Sequence, residues 1–165
     1  MKNLAVAFSG PSNSGKTSLI VKISNLLRKT HEIAIVKHDP GDKATFDQNG
    51  KDSWKFAQTG AEVLVASPTR TTLFSQKRKD LDEIIRLFNE FDLMIVEGLK
   101  TLPLPRVSIF RNEIDESYFN YSNAIAIDNS IDLNDYNIPK NIEVLDLNDT
   151  DSIVKWILKN AKKVK

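Results

Sequence analysis

Apolar residues along this chain fall into two patterns. Short apolar runs, LAVAF (4–8), IAIVK (33–37) and LMIV (93–96), read as strands buried on both faces, because a strand open to water on one face would alternate, and VSIF (107–110) and AIAI (124–127) read as further short strands. IEVL (142–145) reads as a short strand near the end of the chain. Elsewhere the apolar positions follow a helical period. Leu19, Ile20, Ile23, Leu26 and Leu27 mark one helix running to Lys29. Leu81, Ile84, Ile85, Phe88 and Phe91 mark a second. Ile153, Trp156, Ile157 and Ala161 mark a last one, capped at Asp149 or Thr150.

Between these lie weaker signals. Residues 39–50 are polar and broken by Pro40-Gly41 and Asn49-Gly50, so they form a long loop. A short helix is expected from Asp52 or Ser53 to Gly60. AEVLVAS and TRTTLFS flank Pro68 and predict a hairpin on a sheet edge. Strands alternating with helices predict an α/β, three-layer fold: a mainly parallel sheet, helices on both faces and an edge hairpin. The opening strand, loop, helix and strand make a right-handed βαβ unit. No linker-like tract interrupts the 165 residues, so a single domain over 1–165 is expected.

Composition narrows the chemistry only slightly. A net charge of +1 gives no reason to expect nucleic acid or a membrane as partner. The absence of cysteine excludes disulfides and thiolate sites and suits a reducing, cytoplasmic compartment. The apolar N-terminal stretch is short for a leader and runs straight into a glycine-rich loop, so it is read as a strand. No run reaches the length of a membrane span.

That loop carries the chemistry. Gly10-Pro11-Ser12-Asn13-Ser14-Gly15-Lys16-Thr17 matches the Walker A pattern without a gap, between a strand and a helix as the motif requires. The glycines allow a tight turn close to a phosphate, and amides from Asn13 onward form a nest at a helix N-terminus. Lys16 supplies a charge for the outer phosphates. Thr17, with Ser18 beside it, supplies a hydroxyl for Mg²⁺. Glu97, ending a buried strand, is the acidic partner expected at the metal, where open α/β sheets place ligands. Glu97 and Lys16 are therefore the candidate catalytic groups, and Thr17 and Glu97 the candidate metal ligands. A second cluster, Lys37-His38-Asp39 and then Asp47, Lys51 and Asp52, begins at the same strand ends. His31 reads as solvated, Asp92 as a turn residue, and 76–80 as an exposed helix start.

Taken together, GPSNSGKT, Lys37-His38, Gly50-Lys51-Asp52-Ser53, Thr59-Gly60-Ala61, Glu97-Gly98-Leu99-Lys100 and 145–149 (LDLND) resemble, in order and spacing, the molybdopterin-guanine dinucleotide biosynthesis protein B family. The resemblance runs from about residue 3 to 160. It implies a P-loop protein that binds GTP and Mg²⁺, hydrolyses GTP weakly and forms homodimers. It also implies work beside the enzyme that joins GMP to molybdopterin in molybdenum cofactor maturation. By motif match it carries Lys37, His38, Lys51, Asp52 and Lys100 into the site, beside the loop from Gly10 to Thr17 and Glu97. Family members carry further histidines after the Lys-His pair, where this chain has Asp39-Pro40-Gly41. The chain has no Asn-Lys-x-Asp guanine signature; Asp128-Asn129 stand where a base-reading loop would sit. The alternative is a small-molecule kinase. Its arginine-rich lid would have to be 70–79, which reads better as a strand and helix start.

Overall fold

In chain order the elements are β1 (Leu4–Ser9), α1 (Lys16–Leu27), β2 (Ile33–Lys37), α2 (Asp52–Gln58), β3 (Val63–Ala66), β4 (Thr71–Phe74), α3 (Leu81–Leu87), β5 (Leu93–Glu97), β6 (Arg106–Phe110), β7 (Ala124–Ile127), β8 (Glu143–Asp146), α4 (Thr150–Asn160) and β9 (Lys162–Lys163). The computed structural model describes residues 2–88 and 90–165. Two units pack separately: the chain up to His38 together with Ile85–Lys165, and Asp39–Ile84.

In the first unit the strands lie in the order β2-β5-β1-β6-β7-β8, all parallel, with β9 antiparallel to β1. The unbroken apolar runs follow from this arrangement. β1, between β5 and β6, has Ala5, Val6, Ala7 and Phe8 fully buried. Val6 and Phe8 face Ile23 of α1 and Ile153 and Ile157 of α4, with Ile95 and Ile109 beside them. Each such side chain removed from water contributes about 1.5–3 kcal/mol. On the opposite face, Phe110, Ile125 and Ile127 pack against Ile114, Tyr118 and Ile142. There a 3-10 helix, Glu116–Tyr121, provides the cover, with the Tyr118 ring edge-on to Phe110 at 5.5 Å between centroids. Asp92 does more than turn the chain: its carboxylate accepts the Glu32 amide at 2.9 Å and sets the start of β2 beside β5.

Parallel pairing brings the C-terminal ends of β1, β2, β5, β6, β7 and β8 to one edge. Ser9, Lys37, Glu97, Phe110, Ile127 and Asp146 are the last residues there. From β1 the chain passes to β2 on one side, and from β5 it passes to β6 on the other side of β1, so this edge holds the topological switch point where open sheets bind ligands.

In the second unit β3 and β4 pair antiparallel, Val63 opposite Phe74 and Ala66 opposite Thr71. The hairpin expected on an edge of the main sheet thus forms a two-stranded sheet of its own. Its turn is closed by Ser67, whose amide donates to the Arg70 carbonyl at 2.9 Å. No residue described from 39 to 84 is buried. The helix expected to carry Phe88 and Phe91 stops at Leu87, and Asn89, inside that expected span, lies outside the described residues.

Candidate functional site

The chain leaves β1 through Gly10 at φ 138°. A side chain there would put its Cβ 2.3 Å from the Ile109 carbonyl oxygen, so only glycine lets the loop pass this close to β6. α1 then starts at Lys16 with Gly15 as its N-cap, with no side-chain cap and no acidic residue in the first turn. Its first amides are therefore left for another acceptor, and the helix presents its positive end to the loop.

The Lys16 ammonium donates to the Gly10 carbonyl at 2.9 Å, the Pro11 carbonyl at 2.6 Å and the Ser14 hydroxyl at 3.4 Å. Burial pushes its pKa below the ordinary lysine value; the Glu97 carboxylate opposes this and the Lys37 charge adds to it. Ser14 is buried beneath the loop, whereas Thr17 and Ser18 face outward on the first turn.

Glu97 ends β5 opposite Phe8 of β1 on one side and Lys37 of β2 on the other. Its carboxylate pairs with Lys37 at 3.4 Å; the Glu97 side chain is 13% exposed and that of Lys37 65%. The His38 amide donates to the Glu97 carbonyl at 3.0 Å. The His38 side chain lies against Gly98, where an added Cβ would stand 2.9 Å from the His38 Cβ. The loop from Gly10 to Ser18, Lys37, His38 and Glu97 thus lie at one edge of one unit.

Three further sequence-derived residues make contacts of their own. The Lys100 ammonium lies over the Tyr118 ring, 3.6 Å from its centroid, in a cation–π contact. Lys51 and Asp52 belong to the second unit: Lys51 is the N-cap of α2, and Asp52 pairs with Lys55 at 3.4 Å. Three residues that the motifs do not mark stand at or next to the ends of β6 and β7: Arg106, Arg111 and Asp128. Arg106 is fully buried under the turn after Glu97. Arg111 follows β6, pairs with Asp128 at 3.2 Å and has its guanidinium carbon 3.5 Å from where a Gly15 Cβ would stand. The Ser130 hydroxyl, and then Arg111, hold the Asp128 carboxyl below the usual carboxylate range. The available signal was position: each residue adjoins an unbroken apolar run.

Asp128 also lines a cavity of about 720 Å³ at the ends of β7 and β8, together with Asn129, Ser130, Leu133, Val144 and Asp146. β7 is two strands from β1, and parallel strands lie about 4.8 Å apart, so roughly 10 Å separates their ends. A nucleoside has about that reach from its phosphates.

This donor set fits a nucleotide and Mg²⁺. An ammonium and uncapped amides suit phosphate oxygens. Among the described residues, no group of three or more His, Cys, Asp or Glu side chains is placed to hold a metal. Mg²⁺ needs no such cage, since it keeps waters and takes one or two protein oxygens plus phosphates; Thr17 and Glu97 carry oxygens that could serve. No helix among the described residues is long and apolar enough to cross a membrane.

Comparison with known proteins shows the family and the fold. The family model for molybdopterin guanine dinucleotide synthesis protein B matches residues 5–129. A molybdopterin-guanine dinucleotide biosynthesis adapter protein of Haemophilus influenzae is 31% identical over 115 residues, 66% of this chain and 64% of that protein. A relative named for the same role in Methanocaldococcus jannaschii is 30% identical over 142 residues, 82% of this chain and 58% of that one. The matches therefore span about three fifths of the length of these two relatives. The crystal structure of Bacillus subtilis MobB superposes with a TM-score of 0.75 at 24% identity, covering 98% of this chain and 99% of that one, which speaks to the fold.

Proposed function

The chain belongs to the molybdopterin guanine dinucleotide synthesis protein B family, and from that premise we propose that it is a GTP-binding adapter in molybdenum cofactor maturation with weak, Mg²⁺-dependent hydrolysis. The observation that carries the reading is the Lys16 ammonium, held at the mouth of the loop by the Gly10 and Pro11 carbonyls, beside the Glu97 strand end. Phosphate oxygens would take the α1 amides and Lys16, and Mg²⁺ would be held by the Thr17 hydroxyl and Glu97. Bound Mg²⁺ supplies neutralisation of charge on the outer phosphates. Arg111, between Gly15 and Asp128, would flank the path of the nucleoside toward the β7–β8 cavity. A carboxylate at Asp128 accepts hydrogen bonds, which favours a base edge rich in donors, as guanine's is. The relatives are named as adapter proteins of molybdopterin-guanine dinucleotide biosynthesis, which supports a role beside other proteins of that synthesis; molybdopterin and the GMP-transferring enzyme are the partners this reading assigns.

Competition binding of GTP, ATP and molybdopterin to the full chain tests this reading; tight binding of ATP with none of GTP would overturn it. Release of free phosphate from labelled GTP supports hydrolysis, whereas transfer to an added acceptor would favour the kinase.

Glu97→Gln is expected to slow hydrolysis at least roughly tenfold while changing GTP affinity little. The amide keeps the shape, still bonds Lys37, and loses the charge needed at the metal. Turnover equal to the parent's would return Glu97 to pairing with Lys37 alone.

We also propose that the chain is a homodimer. Leu64, Val65 and Leu73 of the β3–β4 hairpin are 59%, 41% and 40% exposed, and Phe56 of α2 is 58% exposed. A two-stranded sheet without a packed face is marginal in water, and its edges invite pairing with another chain. Sedimentation at micromolar concentration should give twice the chain mass; a monomer mass there refutes the dimer.

A further inference from the structure

Arg106 has the largest side chain of those almost wholly withdrawn from solvent, at 1% exposure, and its partners are neutral groups. One guanidinium nitrogen donates to the Ser9 hydroxyl at 2.6 Å and to the Gly98 carbonyl at 2.8 Å. The other donates to the Leu99 carbonyl at 2.8 Å and, more weakly, to that of Leu102 at 3.5 Å. Burying a cation is unfavourable, and an apolar side chain of similar volume would fill the space without that penalty. What the guanidinium does, and an apolar chain cannot, is join these groups in a fixed geometry.

The groups joined come from the two arms of the site. Ser9 immediately precedes Gly10, where the phosphate loop begins. Gly98 and Leu99 immediately follow Glu97. Their turn is unfavourable on its own: Gly98 has φ 88° and Leu99 φ 47°, and a leucine rarely enters the left-handed region. Such a conformation persists where its surroundings over-determine it. Here the Gly98 amide donates to the Phe8 carbonyl at 2.8 Å, the Arg106 fork takes the next carbonyls, and Lys100 rests on Tyr118. Arg106 is itself fixed. Its amide donates to the Asn123 side chain at 3.0 Å, and its carbonyl accepts the Asn123 amide at 2.9 Å.

We propose that Arg106 is a positioning residue for Glu97: its guanidinium ties the turn after β5 to the start of the phosphate loop, so that this turn is a rigid shelf holding the carboxylate at a set offset from the nucleotide phosphates. The inference rests on the nucleotide reading given above. A carboxylate displaced by about 1 Å from its working position loses on the order of 100-fold in rate, whereas loop amides and Lys16, which do not depend on the shelf, go on binding phosphate.

The test uses the full chain with two substitutions. Arg106→Lys keeps the charge and loses the fork. Ser9→Ala removes one bond of the tether and leaves Arg106 in place, so it serves if Arg106→Lys does not fold. Melting curves set the folded fraction, titration with GTP and Mg²⁺ gives affinity, and steady-state kinetics separate kcat from KM. Hydrogen exchange without nucleotide reports on the amides from 98 to 102. Expected for Arg106→Lys is a kcat lower by roughly 10–100-fold, a KM within about threefold, and faster exchange confined to 98–102; Ser9→Ala should shift the same quantities in the same direction by less. Unchanged kcat and unchanged exchange in folded variants of an active parent overturn the tether. A loss of kcat no larger than the loss of folded protein overturns it too. A parent that neither binds nor turns over nucleotide overturns the functional reading instead, and the two failures are thereby told apart.

Discussion

Lys16→Ala is expected to weaken binding of GTP with Mg²⁺ by roughly thirty- to several-thousand-fold, the equivalent of about 2–5 kcal/mol for one partner of a buried, hydrogen-bonded charge pair. The side chain is well placed for so large an effect. Its ammonium is held by the Gly10 and Pro11 carbonyls. Burial already disfavours its charge, and the Glu97 carboxylate offsets part of that. An anion arriving beside it therefore gains more than it would beside a solvated lysine. The fold should be unaffected, because Lys16 lies on the first turn of α1 and outside the packed core. Calorimetric titration measures the loss, with a melting curve as control. An affinity equal to the parent's in a folded variant would remove Lys16 from the phosphate site.

Gly10→Ala is expected to destabilise the protein by about 2–4 kcal/mol and to remove nucleotide binding with it. Two causes add. The backbone at φ 138° is one that L side chains rarely adopt. The new methyl would also stand 2.3 Å from the Ile109 carbonyl oxygen and 3.0 Å from the Ser14 hydroxyl oxygen. The first of these is backbone in a central strand, which cannot swing aside as a side chain can. Relief requires β1 and β6 to part at Ser9 and Ser108, where they pair, or the loop to change shape; either moves the amides. Urea denaturation gives the stability change, and titration the binding. A variant as stable as the parent with parent-like affinity would show that the loop tolerates a side chain and that its close approach to β6 is not required.

Much of this was legible in the one-dimensional pattern. The runs at 4–8, 93–96, 107–110 and 124–127 are inner strands of the sheet, because a strand flanked on both sides and covered on both faces has no room for a polar alternation, whereas the run at 33–37, expected to be buried on both faces, is the edge strand β2 with Ile35 46% exposed. The Walker loop was legible for a related reason: tight turning, amide exposure and a following helix all depend on residues within eight positions. The hairpin was legible as two strands and a turn, but its partner was not. TRTTLFS carries the marks of an edge strand, yet among the described residues it pairs with β3 in a sheet of its own. The last helix followed its signals closely, with Asp149 accepting the Ser152 amide at 3.0 Å as its cap. The helix at Leu81–Leu87 did not; Phe91, in phase with it, is buried just ahead of β5 instead.

The sequence by itself therefore determined the parallel α/β class, the phosphate loop and the strand-end glutamate, since periodicity and local turn chemistry are set by neighbours along the chain. The tertiary structure alone decided which side chains meet across strands. It sent Lys100 onto Tyr118, set Arg111 between Gly15 and Asp128, divided the chain into two units with no linker to mark the break, and buried Arg106 against Ser9, a partner 97 residues away in sequence. Such contacts depend on the order and register in which strands pair. A shift of one residue would turn each side chain to the other face of the sheet, and that register follows from the packing of the whole core.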